Sequence, residues 1–91
     1  MKDYLMARFN KLEKIIEIMG CDIIENNGAG KIRFRNDGHA NEYSAVLKGK
    51  QVHFYDGHAI VTYSGIGIGE DEIQFATWAT LSIAALIKYE F

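Results

Sequence analysis

From Ile73 to Ile87 the chain reads IQFATWATLSIAALI, fifteen residues without a charge. Only Gln74, Thr77, Thr80 and Ser82 interrupt the apolar run. A helix that is apolar on nearly every side is normally covered on more than one of them. The rest of the chain must therefore supply a cover for this stretch. At 100° per residue, Phe75, Trp78, Leu86 and Tyr89 make an aromatic-rich ridge. Ile73, Ala76, Thr80, Ala84 and Ile87 make a low groove, and Gln74, Thr77 and Lys88 remain as a narrow wet strip. The run is shorter than the roughly 20 apolar residues a membrane span requires. No membrane association is expected.

The cover is legible as a sheet. Lys31–Arg35 alternates strictly, with Ile32 and Phe34 to one side and Lys31, Arg33 and Arg35 to the other. Cys21–Glu25, Asn41–Leu47, Gln51–Tyr55 and His58–Ser64 are the other strand segments. Asn26-Asn27-Gly28-Ala29-Gly30, Asp37-Gly38, Lys48-Gly49-Lys50 and Asp56-Gly57 separate them. Proline is absent, so glycine does the punctuating. Read as two-residue hairpin loops, the Asp-Gly pairs set Ile32 against Tyr43 and Tyr55 against His58. Period two then sorts the sheet. Ile32, Phe34, Tyr43, Ala45, Leu47, Val52, Phe54, Ala59, Val61 and Tyr63 face inward. Arg33, Arg35, Glu42, Ser44, Val46, Gln51, His53, Tyr55, His58, Ile60 and Thr62 face solvent.

Residues 3–19 carry a helical seam of Leu5, Phe9, Leu12, Ile16 and Met19, closed by Gly20. The expected fold is α+β and two-layered. A five-stranded antiparallel meander in the order α-β-β-β-β-β-α carries both helices on one face, as a single domain over 1–91.

With 91 residues there is room for one core. A net charge of −2 gives no general attraction to nucleic acid or anionic lipid. One cysteine, Cys21, rules out an intramolecular disulfide and points to a reducing compartment. Met1-Lys2-Asp3-Tyr4 enters the helical pattern directly, so no secretory signal is expected and the chain reads as cytoplasmic.

Chemical motifs are sparse. Ser64-Gly-Ile-Gly-Ile-Gly69 resembles a phosphate loop in composition alone, because Glu70, Asp71 and Glu72 fill the next helical turn and repel an anion. Those acids suit the helix dipole instead. The two Asp-Gly tips gather Asp37, His39, Asp56 and His58 on one rim, the sort of groups that ligate a metal or a small polar molecule. No CxxC or HxxxH spacing accompanies them, and Asp-Gly is ordinary turn chemistry. Arg33, Arg35, His53, Tyr55 and His58 share the solvent face, a pattern that suits single-stranded nucleic acid. Glu42 and the scarcity of aromatics there weigh against that use. Cys21 follows a helix C-terminus, whose partial negative charge disfavours a thiolate. The segments FRNDGHANEYS (34–44) and FYDGHAIVTYS (54–64) echo one another with the DGHA core offset by one, as a duplicated hairpin or reused turn chemistry would.

These features predict a non-catalytic binding module without a cofactor, working by protein–protein association as a small inhibitor or adaptor. A homodimer is the commonest solution. Trp78, Tyr89 and Phe91 are the self-association candidates, because ridge and groove cannot both face the sheet. Single-stranded nucleic acid on the sheet face and a ligand or metal on the rim are the alternatives.

Overall fold

The computed structural model describes residues 2–36, 41–57, 59–60, 66–67 and 71–88. Its elements are α1 (Lys2–Asn10), α2 (Leu12–Ile18), β1 (Cys21–Asn26), β2 (Lys31–Asn36), β3 (Tyr43–Lys48), β4 (Gln51–Asp56), β5 (Ala59–Ile60), β6 (Ile66–Gly67) and α3 (Glu72–Lys88). The fold is α+β, with an antiparallel sheet whose four full strands follow chain order. The fifth strand expected over 58–64 is represented among the described residues by β5 alone, which pairs with the Asp56 end of β4. The pair β6 meets the opposite end of β4.

Both tight-turn registers differ from expectation, and by the same amount. Ile32 pairs with Ala45, and Phe34 with Tyr43, so the β2–β3 connection is longer than an Asp37-Gly38 hairpin. Tyr55 pairs with Ile60, and Asp56 still belongs to the ladder, opposite Tyr43 and Ala59. The second turn therefore opens at Gly57, at φ +63°, rather than at Asp56. Each register moves by two residues, and a two-residue slip leaves the facing of every side chain unchanged. That is why the inner face survives: Ile32, Phe34, Tyr43, Ala45, Val52 and Phe54 are all buried, with Leu47 packed at their margin. Ala59, Val61 and Tyr63 lie outside the side chains described.

One irregularity is invisible in the pattern. Ile23 pairs with Phe34 but Glu25 with Arg33, leaving Ile24 as an extra residue in a β-bulge. Past the bulge the strand changes phase. Glu25 reaches the solvent face, while Asn26 turns to the helices and donates to Glu13 Oε2 at 2.6 Å and Asn10 Oδ1 at 3.3 Å.

The helices close the core from the inner side. Phe9, Leu12 and Ile16 join the sheet residues and Phe75, Ala79, Ile83 and Leu86 in one buried cluster. The single helix expected over 3–19 is interrupted at Lys11, whose N–H bonds Arg8 O at 3.2 Å in a tightened turn. The interruption falls where two tertiary contacts converge. Asn10 is held by Asn26, and Lys11 pairs with Glu72 at the start of α3. Asp71 caps that helix, its carboxylate accepting the Ile73 N–H at 3.0 Å.

Gly30 fixes the β1–β2 turn against the core. It sits at φ +99°, and a Cβ there would approach Leu47 Cβ to 3.3 Å. The Gly30 carbonyl also accepts the Leu47 N–H at 2.8 Å. Gly30→Ala is expected to lose about 1–3 kcal/mol of stability, since an L-residue is strained at this φ and Leu47 cannot retreat from the sheet. Urea denaturation measures it. A loss below a few tenths of a kcal/mol contradicts the assignment.

Candidate interaction surfaces

The solvent face of the sheet is organised around Arg33. Its guanidinium forms a fork on Glu42, with Nε donating to Oε2 at 2.6 Å and Nη2 to Oε1 at 3.1 Å. Nη1 donates to Glu25 Oε1 at 2.8 Å. A bidentate pair with a second carboxylate on the remaining nitrogen leaves little of this cation for another anion. Hydrogen bonding from Arg33 holds the Glu42 carboxyl below its ordinary range, and raises the Arg33 pKa further still.

A group whose folded pKa is depressed contributes stability above its ordinary value and loses it as pH falls through the folded value. The stability difference between wild type and Arg33→Met is thus expected to be full at neutral pH, to begin to shrink as pH enters the ordinary carboxylate range, and to be lost only below it. Both partners are substantially exposed, so solvent screening keeps the difference small. Thermal unfolding at several pH values measures it; a difference that grows on acidification contradicts the sign.

The remaining face candidates are less available than the sequence implies. Tyr55 hydroxyl is bonded by Lys48 Nζ at 2.6 Å. That ammonium is 5.2 Å from the ring centroid, nearly the full reach through the hydroxyl, so it lies beyond the oxygen and not over the ring face. His53 stands opposite Val46, with Nδ1 shielded from solvent and no hydrogen-bond partner among the described residues. Arg35 is exposed and pairs in register with Asp22. Lys31, Ser44, Val46, Tyr55 and Gly57 border a shallow hollow of about 190 Å³. His58 lies outside the described residues.

Of the rim candidates, Asp37 and His39 also lie outside the described residues, while Asp56 is a half-buried strand residue. Among the described residues no group of three or more His, Cys, Asp or Glu side chains is placed to hold a metal. Cys21 is buried, and burial raises its thiol pKa, only partly offset by a hydrogen bond from Asn36 Nδ2 at 3.6 Å. That is the setting of an inert thiol.

The surface with unspent apolar area belongs to α3. Its buried face is Phe75, Ala79, Ser82, Ile83 and Leu86, a stripe rotated from the expected ridge. Trp78 is no part of that stripe. It is 40 % exposed at its flank, while Phe75 is 2 % exposed. The outward strip is apolar too, with Ile73 76 % and Leu81 62 % exposed. The expected wet strip of Gln74, Thr77 and Lys88 is therefore broader and greasier. Thr77 and Thr80 hydroxyls donate to the carbonyls of Ile73 and Ala76, at 2.9 and 2.8 Å, which satisfies them within the helix. Ala76, Thr77, Thr80 and Leu81 line a concave patch of about 320 Å³. Tyr89 and Phe91 lie outside the described residues.

Leu81 is the residue sequence reasoning passed over. Counting by 100° from the buried Phe75-Ala79-Leu86 stripe places it on the far side, but only once the phase of the helix is fixed. No helix among the described residues is long and apolar enough to cross a membrane. Comparison with known proteins finds no match among family descriptions, curated proteins or solved structures.

Proposed function

We propose that the chain is a non-catalytic cytoplasmic binding module, an inhibitor or adaptor, that works by protein–protein association through the outward face of α3. One observation carries the reading: Ile73, Trp78 and Leu81 remain solvent-exposed on one helix although the core has closed beneath it. Isolated exposed apolar residues are commonplace, but a run of them beside a hollow marks an interaction surface. Each such side chain gains about 1.5–3 kcal/mol when fully covered. The sheet face supports nucleic-acid binding less well, because Arg33 is held between two glutamates and Tyr55 by Lys48.

The test uses the tagged chain in an extract of its native cells. Wild type is expected in an assembly heavier than the 10.3 kDa chain. Ile73→Lys with Leu81→Lys returns it to the monomer position, whereas Arg33→Glu with Arg35→Glu does not. The reverse pattern, with an assembly that dissolves steeply in salt, points to nucleic acid on the sheet.

A further inference from the structure

We infer that the occupant of the α3 face is a second copy of this chain, laid antiparallel across it about a two-fold axis beside Thr80 and Leu81. This rests on the association reading above and names its partner. Two features of the face carry it. The first is shape. The exposed Leu81 stands at the margin of the hollow formed with Ala76, Thr77 and Thr80. A two-fold axis at this point sets Leu81 of each copy against Thr80 of the other, and Ala84 against Thr77. Each leucine enters the opposing hollow, as an isologous interface requires.

The second is charge. The helix is acidic at its start, with Asp71 and Glu72, carries Lys88 at its end, and is uncharged from Ile73 to Ile87. The same axis brings Lys88 of one copy within a turn of Asp71 of the other, beside the Glu72 that Lys11 of its own chain already pairs. It also opposes the two helix dipoles. A parallel pairing stacks acid on acid instead. A face about 25 Å long and about 10 Å wide is smaller than a standard stable interface, so a weak, reversible dimer is expected, with a dissociation constant on the order of 100 micromolar or above.

The full-length chain tests this directly. Thr80→Cys and Ala84→Cys are made separately; Cys21, being buried, stays out of the reaction. Residues beside the axis meet their own copies, whereas antiparallel Ala84 positions stand about 10 Å apart along the helix, beyond disulfide reach. Oxidation is expected to link Thr80→Cys at least about tenfold faster than Ala84→Cys. Sedimentation of unmodified wild type adds a readout independent of either variant. Its mass is expected to rise with concentration towards twice 10.3 kDa.

Equal linking at both positions overturns the antiparallel geometry. A wild-type mass fixed at 10.3 kDa at every concentration overturns the second copy as partner. If the native-extract assembly then still depends on Ile73 and Leu81, association stands and only its partner is wrong. If that assembly is also absent, the association reading fails with it.

Discussion

Phe34→Ala is expected to lose about 3–5 kcal/mol of folding stability, the cost of emptying a fully enclosed aromatic site. The Phe34 ring is 0 % exposed on the inner face of β2, and its centroid is 5.7 Å from the tilted ring of Tyr43. Tyr43 occupies the adjacent central strand directly opposite, so the cavity opens between two strands and under the helices. A domain of this size holds roughly 5–15 kcal/mol in total, and the variant is therefore close to unfolding at room temperature. Urea denaturation followed by far-ultraviolet circular dichroism reads the effect as a lowered midpoint with unchanged slope. Ile18→Ala is the control, since Ile18 is exposed and its loss is expected within about 0.5 kcal/mol. Equal losses in the two variants contradict the placement of the core.

Leu81→Lys is expected to do the opposite, leaving stability nearly unchanged and removing association. Leu81 is an exposed helical residue, and lysine is as good a helix former as leucine. In the symmetric pairing proposed, one substitution acts twice, because each copy carries it into the other's hollow. Two lost leucine burials of about 1.5–3 kcal/mol each amount to roughly 3–6 kcal/mol, or a weakening of about 10²–10⁴-fold. Sedimentation measures it, with thermal unfolding to show that the domain is intact. A dimer that persists in Leu81→Lys places the interface elsewhere on the molecule.

The sheet was readable from sequence because alternation is a two-valued signal. Either register of the Asp-Gly turns, as expected or as found, puts Phe34, Tyr43, Val52 and Phe54 on one side. What alternation cannot supply is absolute register, and both loops proved longer or later than the turn residues implied. The bulge at Ile24 follows from no local pattern, yet it decides that Glu25 reaches Arg33. For that reason the sequence sets Glu42 alone against Arg33, and the second carboxylate goes unseen. In α3 the difficulty was phase. A helix apolar almost all round offers several equivalent stripes, and only packing against the sheet selects Phe75, Ala79, Ile83 and Leu86 over a ridge containing Trp78. The residues left outside, Ile73 and Leu81, are the candidate site, so the site was hidden by the ambiguity that made the helix conspicuous.

Trp78 makes the central claim measurable without any substitution. It is the chain's one tryptophan and lies at the flank of the outward α3 face. Its emission and its quenching by iodide, followed through a dilution series, report directly on whether that face is covered. The account predicts shielded, blue-shifted emission at high concentration that moves to the red and becomes more quenchable on dilution. Emission and quenching that stay constant across the whole series contradict it.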